Sequence, residues 1–194
     1  PAELQSRVGC PVYYAAAKRC IDIIAALMGL LIALPTGILI AVLIKLDSKG
    51  PVFFYQKRPG RNSSPFSIIK FRTMEEDAES KLDVVIDTHD VEDPLIRVEN
   101  DPRVTRFGRI LRRTSLDELP QLINILKGEM SLVGPRPISR PIHDYRNKIR
   151  LQVTPGLTGL WQISGRKNKD TNFMLEKDME YLARRCLSVD LLIL

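Results

Sequence analysis

Histidine and cysteine are scarce in this 194-residue chain, which has two of the first and three of the second. His89 and His143 are too few for a multi-histidine metal site, and Cys10, Cys20 and Cys186 form neither a metal spacing nor a disulfide framework. A disulfide-stapled secreted fold is therefore not expected, and a reducing compartment fits. Aromatic residues make up only 6% of the chain, and its basic blocks lack the interleaved aromatics of a single-strand nucleic-acid binder. What is present is ordinary globular material, 44% hydrophobic and 27% charged. That balance excludes a disordered tail and an all-membrane bundle. The length allows one domain, or one with an appendage. A formal charge of +6 calls for anionic partners without choosing among phosphates, nucleic acid and lipid.

The charge is unevenly placed. Residues 45–72 carry seven Lys/Arg against one acid, Asp47; residues 73–101 carry eleven Asp/Glu against Lys81 and Arg97; residues 102–116 carry five arginines and no acid. The acidic stretch keeps no steady apolar period and reads as a solvated surface segment.

From Ile23 to Ile44 there are 22 residues without a formal charge. As a helix they would extend ~33 Å, enough for a hydrocarbon core of ~30 Å. Pro35 interrupts the run, removing one backbone N–H and clashing with the carbonyl of Leu31. Basic residues flank both ends, Lys18 and Arg19 before, Lys45, Lys49, Lys57 and Arg58 after, so the positive-inside tendency places both ends on the cytoplasmic side. Three readings meet these facts: a re-entrant helix bent at Pro35, a kinked spanning helix, and a buried core helix.

The segments 51–56 and 66–71 are aromatic and β-branched, and the turn-rich segment 57–65 between them predicts a hairpin whose tip carries Lys57, Arg58 and Arg61, set to touch lipid phosphates. Lys70 and Arg72 lie on the second strand, two residues apart and so on one side of it. Residues 102–114 predict a basic amphipathic helix, with Val104, Phe107, Ile110 and Leu111 as its apolar stripe.

Leu119, Leu122, Ile123 and Leu126 make a further helical stripe that stops at Gly128. Ahead of it, Ser115 and Glu118 have capping-box spacing, and Asp117 is an alternative N-cap with Pro120 in the first turn. Acids at a helix start also suit the helix dipole, so the pair Asp117–Glu118 has a structural reading. Its context gives it a chemical one. Arg112 and Arg113 precede it, Arg136 follows between Pro135 and Pro137, and the Gly-rich segment 155–166 ends in Arg166. Arginine forks suit phosphate oxygens, and the two prolines limit the entropy Arg136 loses on gripping a ligand. Two carboxylates among such arginines can bind a divalent cation and attack a phosphoryl group.

The blocks Lys18-Arg-Cys-Ile-Asp22, the proline-broken apolar run, Gln56-Lys-Arg-Pro-Gly60, Lys70-Phe-Arg-Thr-Met74, Ser115-Leu-Asp-Glu-Leu-Pro-Gln121, Leu126 to Pro137, Pro155-Gly-Leu-Thr-Gly159 and Trp161 to Arg166 stand in this order. With them the chain resembles the monotopic phosphoglycosyl transferases, or bacterial sugar transferases, over about residues 16–194. The link Asn100-Asp-Pro-Arg103 looks most like the hexose-phosphate branch, such as undecaprenyl-phosphate galactose phosphotransferases.

The resemblance implies a helix-rich α/β fold of the α+β kind: an N-terminal extension (1–17), a re-entrant membrane helix bent at Pro35 (18–46), and a cytosolic catalytic domain (47–194) with a short hairpin and amphipathic interfacial helices. It implies transfer of a sugar-1-phosphate from a UDP-sugar to undecaprenyl phosphate, with release of UMP, on the cytosolic face of the bacterial inner membrane. The implied reaction depends on Mg²⁺ held at Asp117 and Glu118. It passes through a phosphosugar on Asp117, with Glu118 as its dyad partner. Lys70, Arg72, Arg112, Arg136 and Arg166 match the family's phosphate-binding positions, Pro135 and Pro137 support that loop, and Asp178 matches a downstream acid outside the reacting pair. Membrane lipids and a second copy of the chain are expected partners, and nucleic acid is not. The rival readings are a membrane-tethered binder of anionic lipid or nucleic acid and a nucleotide-sugar hydrolase.

Leu34 precedes the membrane proline where some members have serine, and the chain starts at Pro1 and stops at Leu194 where family chains run on, so a fragment of a longer protein is expected. Leu175, Met179, Leu182 and Cys186 predict a packing stripe on a helix from about Thr171. Trp161 reads as an interfacial anchor or a base-stacking platform, and His143 as polar surface.

Overall fold

The computed structural model describes residues 12–76, 78, 101–138, 144–165 and 170–194. Most of the acidic stretch, the N-terminal extension up to residue 11, His143 and Arg166 lie outside the described residues. The architecture is helix-rich with two small sheets, and the described core falls into four apolar clusters rather than two broad layers.

The apolar run forms α1, Val12–Asp47, a single element of 36 residues with Pro35 inside it. The predicted division into two legs is not seen in the element's bounds. One missing N–H removes one rung of the ladder, and the flanking leucines and isoleucines carry the helix past it. One stripe of α1 lies on the rest of the protein at both ends. Lys18 Nζ donates to Asp190 Oδ2 at 2.8 Å, and Arg19 donates to the carbonyls of Ile125 and Leu126 at 2.5 and 2.8 Å. Asp22 Oδ1 accepts from the N–H of Leu132 at 2.9 Å, and Ala26 packs fully buried against Leu122 and Ile125. Towards the other end Ile40 and Ile44 pack with Phe71 and Leu111, and Asp47 accepts from the N–H of Phe107 at 3.1 Å. Lys18 and Arg19, read from sequence as charges flanking a membrane segment, are thus tethers into the core. Between the two anchored ends, Leu31, Ile32, Leu34, Ile38 and Leu39 stand exposed, Leu31 at 74%. A contiguous apolar surface of this kind marks membrane association.

Strands β1 (Phe53–Pro59) and β2 (Pro65–Phe71) pair antiparallel from Phe53↔Phe71 to Pro59↔Pro65. The loop is therefore only Gly60–Ser64, closed by the Gly60 N–H on the Ser64 carbonyl at 2.8 Å. Lys57 and Arg58 belong to the strand, not to a tip as predicted, because ladder pairing continues through the prolines at the open end of the sheet.

After the undescribed segment comes α2, Arg106–Thr114, whose N-cap Thr105 accepts from the Gly108 N–H. It is amphipathic as predicted, with Leu111 buried, but Ile110 faces outward with Arg106, Arg109 and Arg113. A 3-10 turn, Leu116–Glu118, leads into α3, Gln121–Lys127, which ends at Gly128 with φ +83°. Glycine suits that left-handed C-cap, as the sequence predicts. Asn124 of α3 locks this helix to the sheet edge: its Oδ1 accepts from the Ile69 N–H at 3.0 Å, and its Nδ2 donates to the Ser67 carbonyl at 2.8 Å.

A second sheet, not predicted, is the parallel pair of β3 (Ser131–Val133) and β4 (Gly156–Thr158). Helix α4, Tyr145–Arg150, precedes β4, and α5, Leu160–Gly165, α6, Thr171–Arg184, and α7, Leu187–Ile193, follow it. The packing face of α6 is Met174, Leu175, Asp178, Tyr181 and Leu182. Cys186 is not part of that stripe, since α6 ends at Arg184 and the thiol is exposed. Trp161 is neither a membrane anchor nor a stacking platform: it is buried with Ile138, Met174 and Leu175.

Candidate active site

The 3-10 turn that carries the carboxylate pair is closed by backbone, the Glu118 N–H donating to the Ser115 carbonyl at 3.1 Å. Ser115 has φ +61°, and the N-cap position of α3 is Pro120, with no side-chain capping bond at either place. The capping box does not form, because the left-handed Ser115 directs the chain into a tight turn before α3 starts. Asp117 and Glu118 are both buried, at 4% and 7% exposure.

Two separate segments converge on Glu118. Lys70 of β2 donates to Glu118 Oε1 at 2.9 Å, and Arg136, from the loop after β3, donates to the same oxygen at 2.7 Å. Burial alone would raise the Glu118 carboxyl, but the charges of Arg136 and Lys70 outweigh it and hold the group well below the usual carboxylate range. Burial pulls the Lys70 ammonium down, the charges of Glu118 and Asp117 oppose that, and Arg136 adds to it. Lys70 is thus near both carboxylates.

Arg58 is the member the sequence reading misplaced. Residues Phe54, Gln56 and Arg58 of β1 lie opposite Lys70, Ile68 and Phe66 of β2, so Arg58 and Lys70 share a face of the hairpin. Its guanidinium donates to Gln56 Oε1 at 2.5 Å. Burial first, then repulsion from Arg136, lowers Arg58 to about 10, with Glu118 pulling the other way. The alternation of Gln56 and Arg58 with the exposed Lys57 was the available signal.

The remaining predicted positions divide. Arg72 turns away from the carboxylates and donates to the carbonyls of Lys49 and Ser48, the latter at 2.9 Å, which holds the chain just past the end of α1. Arg112 donates from Nε to Thr73 Oγ1 at 2.9 Å, and its charge also acts on Asp101. Asp178 is buried on α6 in an ion pair with Arg150 at 2.7 Å; burial pushes it up to about 6, against the pull of Arg150. Pro35 lies in the exposed middle of α1.

Pro135 and Pro137 flank Arg136 as predicted, and the backbone of that loop is fixed by close packing of glycines. The Gly134 N–H donates to the Thr158 carbonyl and the Gly156 N–H to the Pro135 carbonyl, both at 2.9 Å. A Cβ at Gly156 would lie 2.5 Å from the Thr158 carbonyl oxygen and 2.6 Å from Gly134 Cα, and one at Gly134 would lie 2.7 Å from the Thr154 carbonyl. Gly134 and Gly156 therefore serve close backbone approach.

Two adjacent carboxylates with Lys70, Arg136 and Arg58 around them leave a surplus of one positive charge among these five side chains. Such an arrangement has the charge to receive a phosphoanion beside the ionised Glu118. The donor set also fits magnesium, which takes one or two carboxylates and completes its shell with water and substrate phosphate.

The geometry therefore sets a buried acidic pair among basic side chains on a body that exposes an apolar helix. The family model for bacterial sugar transferases matches residues 13–194, and the chain belongs to that family of enzymes. It is 41% identical over 184 residues to the exopolysaccharide production protein ExoY of Rhizobium meliloti, covering 91% of this chain and 81% of that protein. It is 40% identical over 188 residues to the undecaprenyl-phosphate galactose phosphotransferase of Salmonella typhimurium, covering 91% of this chain and 38% of that protein. It is 44% identical over 154 residues to the UDP-glucose:undecaprenyl-phosphate glucose-1-phosphate transferase of Caulobacter vibrioides, covering 76% of this chain and 54% of that protein.

Proposed function

We propose that this chain transfers a sugar-1-phosphate from a UDP-sugar to undecaprenyl phosphate on the cytosolic face of the bacterial inner membrane. The observation that carries the reading is Glu118 held between Lys70 and Arg136 with Asp117 beside it, all on a body that exposes an apolar helix. In the first step an Asp117 carboxylate oxygen attacks the sugar-bearing phosphorus of the UDP-sugar. The bond from that phosphorus to the bridging oxygen breaks, and UMP leaves with the electron pair. In the second step a phosphate oxygen of undecaprenyl phosphate attacks the same phosphorus and restores the Asp117 carboxylate, giving undecaprenyl-diphosphate-sugar. Lys70, Arg136 and Arg58 offset the charge on the transferring phosphoryl oxygens. Glu118, kept anionic by Lys70 and Arg136, aims those two cations. Asp117 and Glu118 would also hold a magnesium ion, which when bound offsets phosphate charge.

UMP release measured over a panel of UDP-sugars tests the reading. Sustained release should require undecaprenyl phosphate, and chelation of magnesium should abolish it until the ion is restored. Sustained release without the lipid would identify a hydrolase instead.

The re-entrant topology is part of the proposal. Arg19 and Asp22 near one end of α1 and Asp47 at the other bond to the same polar body, which supports placing both ends on one side of the bilayer. Only the exposed middle around Pro35 is left to enter lipid. In a background with Cys10, Cys20 and Cys186 replaced by serine, Tyr13→Cys and Ser63→Cys should label from the same side of sealed vesicles. Leu31→Cys should be protected from a polar reagent. Opposite sidedness of Tyr13→Cys and Ser63→Cys would establish a spanning helix.

A further inference from the structure

Among the described residues, the most deeply buried ion pair lies outside the carboxylate pair and its cations. Arg150 ends α4 and Asp178 lies within α6; their side chains are 2% and 3% exposed and 2.7 Å apart. Ile149, Val153, Tyr181 and Leu182, near the pair in sequence, belong to one buried cluster with Val133. A buried ion pair in such a place adds little net stability, since well-packed hydrocarbon of the same volume does as well or better. What hydrocarbon cannot do is bind a carbonyl. Nη2 of Arg150, the nitrogen that faces Asp178, also donates to the carbonyl oxygen of Arg136 at 2.6 Å.

That carbonyl lies at the centre of the loop described above. Pro135 and Pro137 restrict the backbone on either side of Arg136, and the Gly156 N–H holds the Pro135 carbonyl at 2.9 Å. The guanidinium end of Arg136 is on Glu118 at 2.7 Å. Arg150 thus fixes the backbone end of a residue whose side chain completes the site. We infer that Arg150, with Asp178 as its buried countercharge, is the positioning residue that aims Arg136. The inference rests on the proposed function for its kinetic consequence but not for its structural one. A guanidinium free to shift by an ångström loses bidentate contact with phosphate, and the loss appears in substrate binding.

The test replaces both charges together, Arg150→Met with Asp178→Leu, so that neither is left buried alone. In nanodiscs, amide hydrogen exchange over residues 133–138 should rise at least about tenfold in this variant, because the loop loses its central clamp. KM for the UDP-sugar should rise by a similar factor with kcat less affected. Adding Arg136→Ala should then raise KM no further than Arg136→Ala alone, because the pair acts only through that side chain. Arg150→Lys guards against a double variant that does not fold. It keeps the charge beside Asp178, but its ammonium ends about where the guanidinium carbon lies, one bond short of the carbonyl, and should loosen the same residues. Wild-type exchange over 133–138 in a folded variant, or KM effects that multiply with those of Arg136→Ala, would overturn the inference. A wild-type chain that releases no UMP from any UDP-sugar would overturn the proposed function instead, and the exchange measurement would still decide the positioning role.

Discussion

Asp117→Asn should fold like the wild type and lose turnover by about three orders of magnitude or more, because a neutral amide cannot form the acyl phosphate. The rival explanation for an acid at this place, helix capping, predicts near-normal behaviour, since asparagine caps about as well as aspartate. In the fold Asp117 lies inside the 3-10 turn and the N-cap position of α3 is Pro120, so the asparagine variant separates the two roles. Incubation with a UDP-sugar and magnesium, without lipid acceptor, should add the mass of one phosphosugar to the wild type and nothing to Asp117→Asn. An active asparagine variant, or an adduct mapped to another residue, would take the nucleophilic role from Asp117. Glu118→Gln should also lose activity while keeping the attacking carboxylate. It leaves Lys70 and Arg136 facing an amide, and both are then held less firmly.

The largest stability effect is expected at Gly156. Its added Cβ would collide with the Gly134 nitrogen and lie 2.6 Å from Gly134 Cα, and both are backbone atoms. No rotamer change relieves a clash of main chain with main chain, so β3 and β4 must separate. Gly156→Ala should therefore cost about 3 kcal/mol or more, read as a lower denaturant midpoint at unchanged slope. Any folded fraction should also show a raised KM, because Arg136 lies two residues beyond Gly134. Gly37→Ala in α1 is the control: its nearest neighbour would be Phe71 Cζ at 3.8 Å, an ordinary contact, and stability should change little. A Gly156→Ala chain as stable as the wild type would mean that the close approach of β3 and β4 can relax without cost.

The amino-acid sequence by itself determined the local elements and singled out the carboxylate pair proposed to react. An apolar run makes a helix that continues past Pro35, turn residues between β-branched segments make a hairpin, and Gly128 ends α3. Each is a property of a few consecutive residues, and that is why it is legible. The pair Asp117–Glu118 stood out because acids in a basic context are chemically unusual, and the ordered motifs pointed to the family that the comparison establishes. The extent of the hairpin was less legible: drawing the loop from Lys57 to Pro65 moved Arg58 off the strand face it shares with Lys70.

What each cation does was decided only by tertiary structure. Lys70, Arg72, Arg112 and Arg136 look alike as a list of basic residues. In the fold, Lys70 and Arg136 meet on one oxygen of Glu118, Arg72 holds backbone carbonyls past the end of α1, and Arg112 bonds Thr73. Arg19 ends on carbonyls more than a hundred residues away, at Ile125 and Leu126. The β3–β4 pair joins two three-residue strands across an intervening helix, too short and too distant for any periodicity to announce. The physical reason is the same in each case. Helices and turns are set by bonds between near neighbours, whereas the anion or carbonyl that a long basic side chain finds is set by whichever distant segment the core packs beside it.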